Sequence, residues 1–335
     1  MKQSLEDVAK LAGVSTATVS RALRDLESVK PETKQRIRKI AAELGYVTSP
    51  FATTLATGLT RTVGILTPWV NRWFFSNVIE GAERTLRASG MDALLYTFWE
   101  TDTQQRPRLD LNVLRRRVDA VLVLGLPLRA SEVQDLESLG VPLVFVGTGH
   151  TKHLTVRVDD ALVARLAMDH LIGLGHRNIG HLSGRIEKAL SWSPPRVRRD
   201  AWRRALEDIG LEPRNSWCAN GDFKRAMGRQ ATADLLDRAP ELTAIFCSSD
   251  DMAIGAFEEI RHRGLIPGQD ISVVGVDGTE TGELLGVTTI AQDPVAQGEA
   301  AARCLLSHLA GQETAGEVLG DLTLIPRIST GPPVL

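Results

Sequence analysis

Short apolar runs alternate with amphipathic segments from residue 63 onward. Four such runs come first: VGILT (63–67), ALLYTF (93–98), AVLVLG (120–125) and PLVFVG (142–147). Segments with helical spacing of apolar residues lie between them, at 76–89, 105–116 and 131–138. Short apolar runs joined by amphipathic helices are typical of buried parallel strands, so the pattern predicts an α/β fold.

The alternation then restarts, which predicts a second lobe. The predicted helices cover 160–174, 196–209, 224–239 and 251–263, and the predicted strands cover 178–183, 244–249 and 271–277. Each half has about the length of one ordinary domain. Two similar lobes with a ligand-sized cleft between them are therefore expected.

The first 46 residues show the pattern of three short helices. Ser4 can cap the first helix and Gly13 can end it, while Ser15 can cap a second helix over 16–23. A third helix is predicted to begin at Pro31 and to stop near residue 45. The turn between the first two helices has only a few residues, which predicts a helix-turn-helix motif in a three-helix bundle.

Residues 47–62 form a linker that contains one candidate helix. Ser49 before Pro50 fits a helix start, and Gly58 fits a helix end. The segment is shorter than ~12 residues and rich in threonine, a weak helix former, so alone it should be mostly unfolded. The prediction is a helix that forms only under certain conditions.

The charge is divided unevenly along the chain, although the net charge is only −2. Residues 1–62 carry ten Lys and Arg against six Asp and Glu, which leaves 29 basic and 35 acidic residues in the remainder. The head is thus +4 and the body −6, and a basic head is compatible with a nucleic-acid partner.

The cellular setting follows from the cysteines and the apolar content. Three well-separated cysteines with no C-x-x-C pair favour a reducing cytoplasm and argue against a disulfide framework or a cysteine zinc site. The N-terminal residues have no apolar signal-peptide core, and no stretch approaches the ~20 apolar residues of a membrane span. Neither export nor a membrane partner is expected.

Two segments of the head, DVAKLAGVSTATVSRAL (7–23) and VKPETKQRIRKIAAELGY (29–46), resemble the DNA-binding domain of the lactose-repressor (LacI/GalR) family of bacterial transcription regulators. The resemblance continues through LGHRNIGHLSG (174–184) and through 244–280. It implies a cytoplasmic homodimer that represses transcription from a pseudo-palindromic, double-stranded operator. It also implies a two-lobed body, similar to periplasmic binding proteins, that closes on a small effector, with a sugar as the first expectation.

The resemblance implies a division of the chain into three parts. These are a helix-turn-helix DNA-binding domain at 1–46, a hinge with a short helix at 47–62, and an effector-binding and dimerisation body at 63–335. Within the body, lobe 1 should comprise about 63–160 and 293–320, and lobe 2 about 161–292 and 321–335. The chain ends without heptads, so the tetramer-forming tail of some family members is not expected.

The resemblance also assigns DNA contacts to the head. Thr16, Ala17 and Arg21 should reach base edges in the major groove, and the guanidinium of Arg21 can bond O6 and N7 of a guanine together. Four other positions match family residues that anchor phosphates: Ser15, Thr18, Ser20 and Thr33. For Ser15 a pure helix-capping role is the alternative, and both roles are compatible.

Leu55 matches the hinge leucine that the family inserts into the minor groove at the operator centre. The alternative is an exposed leucine that packs against its dimer mate. Thr48, Ser49 and Thr53 depart from the family pattern, which has Pro-Asn before this helix and an arginine two residues before the leucine. The missing arginine implies a weaker contact with the DNA backbone.

The resemblance likewise implies which residues contact the effector. In RRDAWRRAL (198–206), Arg198 aligns with the arginine that holds ligand oxygens. The other candidates are Trp73, Phe74, Phe223, Ser249, Asp277 and Gln292. Gly278 stands where the lactose repressor has a second aspartate, so the set of hydrogen bonds should differ in detail. Phe75 is expected in the core.

Two other functional readings stay open at this point. A co-repressor-dependent regulator, similar to the purine repressor, has the same sequence features and the opposite response to its effector. An α/β enzyme is the second rival, although no nucleophile–base set or metal cluster emerges, and the helix-turn-helix would be unexplained. Asp250 and Asp251, at a predicted helix start, are interpreted as partners of the helix cap and the helix dipole rather than as catalytic residues. No enzyme activity, cofactor or metal is expected.

Overall fold

The computed structural model describes residues 4–46, 58–97, 110–126, 128–148, 152–185, 193–312 and 316–334. Its contacts divide the chain into two units, Met1–Arg61 and Thr62–Leu335. Among the described residues, no helix has both the length and the apolar character that a membrane crossing needs. The hinge prediction, including Ser49, Pro50, Thr53 and Leu55, falls on 47–57 and lies outside the described residues.

The first unit contains the three predicted helices: α1 (Leu5–Ala12), α2 (Thr16–Leu23) and α3 (Pro31–Glu43). Ser4 and Asp7 form a capping box at the start of α1, in which each side chain accepts a hydrogen bond from the backbone N–H of the other. Gly13 ends α1 with a φ of 64°, a backbone conformation that favours glycine. One apolar face of each helix is buried in a shared core.

Lobe 1 of the second unit is built on a six-stranded parallel sheet with the order β11-β5-β4-β3-β1-β2. The strands are β1 (Thr62–Thr67), β2 (Asp92–Thr97), β3 (Ala120–Leu124), β4 (Leu143–Val146), β5 (Leu154–Arg157) and β11 (Glu317–Leu319). The helices are α4 (Trp73–Ala88), α5 (Ala130–Glu137) and α11 (Pro294–Leu309).

Lobe 2 has a second six-stranded sheet with the order β12-β10-β9-β8-β6-β7, parallel except for the pair β10 and β12. Its strands are β6 (Ile179–Ser183), β7 (Cys218–Asn220), β8 (Ala244–Cys247), β9 (Ser272–Asp277), β10 (Thr288–Ala291) and β12 (Thr323–Ile325). Its helices are α6 (Asp160–Gly173), α7 (Pro194–Glu207), α8 (Arg225–Arg238), α9 (Asp250–His262) and α10 (Glu280–Leu285).

The chain passes between the two lobes three times. It leaves the lobe 1 sheet after β5, returns after β10, and leaves it again between β11 and β12. Helix α11 therefore lies far along the sequence but packs on α4 of lobe 1. The two helices approach closely because glycines stand at the contact: a Cβ on Gly81 would lie 2.1 Å from the carbonyl oxygen of Val295.

One predicted helix is wrong. In place of a helix over 105–116, the described part of that segment holds a single 3₁₀ turn, Leu111–Val113, and residues 105–109 lie outside the described part. The prediction rested on apolar spacing, and Leu114 and Val118 are indeed buried. Arg116, however, has a φ of 57°, a left-handed conformation that no α-helix contains.

Candidate functional site

The first candidate site is the exposed face of α2. Its buried face consists of Val19 and Ala22, whereas Thr16, Ala17 and Arg21 are exposed. The three residues predicted to read bases thus share the face that is free of core contacts. A short helix with such a face, at the second position of a helix-turn-helix, can enter the major groove of DNA.

The four residues predicted to contact phosphates differ in how exposed they are. Ser15 is exposed and caps α2: its hydroxyl accepts from Thr18 N at 3.1 Å and lies 2.9 Å from Thr18 Oγ1. Thr18, Ser20 and Thr33 are half-buried. The capping role of Ser15 is therefore visible in the structure. The exposed N-terminus of α2 also has the backbone N–H groups that suit a phosphate.

The turn after α2 is held by a cluster of charges. Asp25, with a φ of 62°, forms ion pairs with Lys34 at 3.0 Å and Arg38 at 2.8 Å. Lys34 Nζ also donates to the carbonyl oxygen of Asp25 at 2.9 Å. The hydrogen bond from Lys34, with its charge and that of Arg38, lowers the pKa of Asp25. These contacts connect the end of α2 to α3 and so set the angle at which α2 is presented.

The second candidate site is a cavity of about 230 Å³ between the two lobes of the body. It lies at the carboxyl ends of the parallel strands, where α/β folds generally bind ligands. All seven predicted effector residues line it, although they are spread over more than two hundred positions of the sequence: Trp73, Phe74, Arg198, Phe223, Ser249, Asp277 and Gln292.

Aromatic side chains cover the lobe 1 wall of the cavity. Trp73 and Phe74 are the first two residues of α4, and Phe75 follows them at the wall. The rings of Phe74 and Phe75 meet edge to face, with centroids 5.4 Å apart. Both rings also pack against the lobe 1 core. Phe75, expected only in the core, therefore both packs there and lines the cavity.

Phe223 faces the cavity from lobe 2 on a strained loop. Asp222 and Phe223 both have left-handed backbone conformations, with φ values of 48° and 53°. The ring of Phe223 lies so close to Gly184 that a Cβ there would come within 2.0 Å of it. Only glycine permits this approach, so Gly184 helps to place the ring at the cavity wall.

Arg198 is almost fully buried and is held by two partners. Its Nε donates to Asp160 Oδ1 at 2.8 Å, and its Nη1 donates to the carbonyl oxygen of Ser248 at 2.7 Å. Asp160, at the start of α6, is buried too, and burial raises its pKa while Arg198 lowers it. The guanidinium still has donors in excess of these two bonds. Asp160 was not among the predicted site residues.

Three polar side chains form a chain of hydrogen bonds at one end of the cavity. Gln297 Nε2 donates to Gln292 Oε1 at 3.0 Å, and Gln292 Nε2 donates to Asp277 Oδ1 at 2.8 Å. Gln297 belongs to α11 of lobe 1, whereas Asp277 ends β9 of lobe 2. The chain thus joins the two lobes beside one of the three crossings. Gln297 is a second residue that the sequence did not single out.

Two carboxyl groups lie close together here, that of Asp250 buried and that of Asp277 half-buried at the cavity wall. Burial, and then the nearby Asp250 carboxylate, raises the pKa of Asp277 to about 8. Burial also raises the pKa of Asp250 to about 6, although Asp250 Oδ2 accepts from Gly278 N at 2.9 Å and Thr279 N at 2.8 Å. The raised pKa of Asp277 favours its protonated form, which can donate a hydrogen bond to a ligand oxygen.

The geometry corrects the capping part of the prediction for Asp250 and Asp251, whereas both residues do lie in the first turn of α9, where a negative charge favours the helix dipole. The residue that caps α9 is Ser249, whose hydroxyl accepts from Met252 N at 3.3 Å. Asp250 instead fixes the turn at 278–279, and Asp251 lines the cavity. The Ser249 hydroxyl only accepts in this cap, so its own proton can still be donated to a ligand in the cavity.

Metal binding finds no support in the part of the chain that is described. No group of three or more His, Cys, Asp or Glu side chains there could hold an ion. His176, which the sequence places near His181, uses Nδ1 for Thr243 Oγ1 at 2.8 Å and Nε2 for the carbonyl oxygen of Gly331 at 2.9 Å. His181 Nδ1 bonds the carbonyl oxygen of Phe246 at 3.0 Å. Both histidines thus serve the structure of lobe 2.

Two family models match the chain. A model of the lacI family of bacterial regulatory proteins matches residues 4–49, and a model of the periplasmic binding protein-like domain matches 168–330. The HTH-type transcriptional repressor CytR of Escherichia coli K12 is 33% identical over 335 residues, covering 98% of this chain and 96% of that protein. Catabolite control protein A of Priestia megaterium is 29% identical, covering 92% of this chain and 93% of that protein.

Solved structures agree in fold over nearly the whole chain. The lac repressor dimer bound to operator and the anti-inducer ONPF matches with a TM-score of 0.86 and 27% identity, covering 99% of this chain and all of that one. The complex of the transcriptional regulator CelR with cellobiose matches with a TM-score of 0.71 and 28% identity, covering 98% of this chain and 99% of that one.

Proposed function

Because the chain belongs to the LacI family of bacterial regulatory proteins, we propose that it is a homodimeric transcriptional repressor. Its binding to an operator would be controlled by a small molecule. The observation that carries the proposal is the meeting of seven predicted effector residues at one cavity. It is supported by the exposed face of α2. The protein would act in the bacterial cytoplasm, where its operator lies.

We propose that three consecutive parts of the chain have separate functions. Residues 1–46 bind DNA, 47–62 form the hinge, and 63–335 bind the effector and dimerise. Lobe 1 comprises about 63–160 and 293–320, and lobe 2 about 161–292 and 321–335. The strand content of the two sheets supports this partition, since β11 completes the first sheet and β12 the second.

Operator recognition is assigned to α2 in each of two heads. Arg21 would read a guanine in the major groove, a contact worth ~1–3 kcal/mol of discrimination, and Thr16 and Ala17 would contact neighbouring bases. Ser15, Thr18, Ser20 and Thr33 would position the helix on the phosphates. Leu55 would enter the minor groove between the two half-sites and open a base step.

The effector would bind in the cavity and act through the lobes. Residues of the first two crossings, Arg157, Asp160 and Gln292, lie at the cavity wall. A ligand that brings the cavity walls of the two lobes together would therefore contact the segments about which the lobes rotate. The closure would change the hinge at 47–62 and release the operator, with a coupling of ~1–3 kcal/mol.

A sugar is the favoured effector class. The cavity combines a buried guanidinium, a carboxyl group, amides and aromatic faces, which together suit a ring that carries hydroxyls on one side and C–H groups on the other. Among similar proteins, the CelR structure contains cellobiose, and a LacI-family regulator of Enterococcus faecium contains ribose. The latter matches with a TM-score of 0.70 and 25% identity.

The co-repressor mechanism is the second candidate function. Its supporting observation is similarity to the HTH-type transcriptional repressor PurR of Vibrio vulnificus, 30% identical over 316 residues, covering 92% of this chain and 93% of that protein. Whether the effector weakens or strengthens operator binding depends on which lobe arrangement orders the hinge. The similar proteins are repressors, and we propose that this chain likewise has no enzymatic activity.

The test begins with selection of operator sites from random double-stranded DNA by the full-length protein. A pseudo-palindromic consensus is expected, bound with a steep dependence on salt. The same complex is then titrated with a panel of sugars and purines while DNA fluorescence anisotropy is followed. Release supports the inducer mechanism, and tightening supports the co-repressor mechanism. Selection that yields no enriched sequence would refute the function.

A further inference from the structure

The cationic side chains on the cavity wall are already matched by carboxylates. Arg198 is paired with Asp160 at 2.8 Å, and both side chains are only 7% exposed. Arg157 is paired with Glu317 and also donates to the carbonyl oxygen of Val158 at 2.9 Å. Neither guanidinium is left with an excess of positive charge for a ligand.

The remaining two arginines of the wall face carboxylates as well. Arg72, whose guanidinium lies 3.4 Å from the ring centroid of Trp69, experiences the charges of Asp222 and Asp251 in lobe 2. Asp222 in turn lies 3.8 Å from Arg185. Burial lowers the pKa of Arg72, and the two carboxylates counteract that effect. Each described arginine of the wall therefore has a carboxylate nearby.

The polar side-chain atoms of the cavity wall that remain unsatisfied are uncharged. Among the described residues, no hydrogen-bond partner is present for Thr148 Oγ1, Ser193 Oγ, Ser248 Oγ or Gln297 Oε1, and all four residues are buried and line the cavity. Three are hydroxyls, which can both donate and accept after a small rotation, and the fourth is an amide carbonyl, which accepts. Buried polar groups are normally bonded, so these four are candidates for ligand contacts.

We infer that the cavity takes an uncharged ring bearing hydroxyl groups and discriminates against phosphorylated forms of such a ring. Thr148, Ser248 and Gln297 are assigned as binding residues in addition to those already described. The inference rests on the proposed function, because it names the class of the effector. Its physical reason is that a phosphate would have to displace a carboxylate from its arginine, which at the buried Asp160 is especially costly, or lie beside that carboxylate and be repelled by it.

Two kinds of molecule share this chemistry, free sugars and nucleosides. Both present vicinal hydroxyls and an apolar face, which the rings of Trp73, Phe74 and Phe223 can cover. Their phosphorylated counterparts keep the ring and add only the charge. Matched pairs therefore isolate the variable on which the inference depends.

The experiment measures binding to the full-length protein without DNA. Trp69 and Trp73 lie at the cavity, so intrinsic fluorescence reports on occupancy, and isothermal titration calorimetry gives the affinity. The matched pairs are ribose and ribose 5-phosphate, glucose and glucose 6-phosphate, cellobiose and cellobiose 6-phosphate, and a set of nucleosides with their 5′-monophosphates. A separate titration uses inorganic phosphate against sodium chloride at equal ionic strength.

The expected result is that the best ligand is uncharged and that its phosphate ester binds at least about tenfold more weakly. Inorganic phosphate should cause no saturable change that depends on the cavity. The inference is overturned if a phosphate ester binds more tightly than its parent, or if inorganic phosphate binds saturably to the wild type and the Arg72→Gln variant loses that binding. These titrations contain no operator, so failure of operator selection leaves their outcome intact.

The residue assignments have their own test with the best ligand of the panel. Thr148→Val and Gln297→Met keep the approximate size of each side chain and remove the polar atom. Each should weaken binding by about fivefold or more, as expected for a lost hydrogen bond. Gln269→Met, at an exposed position outside the cavity, is the matched control. Unchanged affinity in both cavity variants, at unchanged thermal stability, would remove these residues from the site.

Discussion

The buried pair of Arg198 and Asp160 allows an asymmetric prediction. In Asp160→Asn the guanidinium stays buried, and it cannot lose its proton. In Arg198→Met the buried carboxyl group remains, and it can become neutral by taking up a proton. Asp160→Asn should therefore destabilise the body at every pH, whereas the cost of Arg198→Met should shrink as the pH falls.

The magnitude follows from the geometry. With Arg198 Nε and Asp160 Oδ1 2.8 Å apart, the charge centres are about 4 Å apart, and at an effective dielectric constant of about 20 they attract by about 4 kcal/mol. Loss of one partner of a buried pair typically costs about 3–5 kcal/mol of unfolding free energy. The double substitution Asp160→Leu with Arg198→Met removes both charges and should recover most of that cost.

The assay is urea unfolding of the full-length protein at pH 5 and pH 8, followed by the fluorescence of its tryptophans, among them the buried Trp202 of lobe 2. Asp200→Asn is the matched control, since Asp200 pairs with Arg199 at 2.7 Å on a partly exposed surface. It should cost at most about 1 kcal/mol. The expectation is contradicted if Asp160→Asn costs as little as the control, or if the double variant is no more stable than Asp160→Asn.

Three further outcomes are expected. Arg21→Ala should relax base preference at one position of each operator half-site, and sequence selection that returns an unchanged profile would contradict the base-reading role. Leu55→Ala should weaken specific operator binding while sparing non-specific binding in anisotropy titrations; equal losses in both would count against the minor-groove wedge. For Asp277, a folded-state pKa of about 8 against 3.8 when unfolded means that the folded protein binds more protons between these values, so stability falls as pH rises through that window. Asp277→Asn should remove a slope of up to about 1.4 kcal/mol per pH unit in the unfolding free energy, and an unchanged slope would refute the pKa assignment.

The strands of the lobe interiors could be predicted because they are apolar throughout. VGILT and AVLVLG correspond to β1 and β3, which are buried along nearly their whole length. Strands β5, β7, β10, β11 and β12 were not predicted, because strands of three or four residues with mixed polarity leave no periodic signal. The segment 105–116 failed for a different reason. Its apolar spacing resembles a helix, but Arg116 has a left-handed backbone conformation.

Site residues could be predicted from the sequence where they stand in a family motif. Residues whose role depends on a partner far away in the sequence could not. Arg198 and Asp277 stand in recognisable motifs. Asp160 has no such signal, because an aspartate at the start of a helix is ordinary, and its partner is 38 positions away. Gln297 is one of several glutamines, and only its bond to Gln292 across the lobe crossing shows its place.

The three crossings between the lobes have a consequence for synthesis of the protein. Neither sheet can be completed until its last strand, β11 or β12, has left the ribosome, so both lobes must wait for the final residues of the chain. The described core of the head is formed by residues within the first 46 positions of the chain. At about 5–20 residues per second, it is finished roughly 15–60 seconds before the body. During translation the nascent chain therefore carries a folded helix-turn-helix head before it carries a folded two-lobed body.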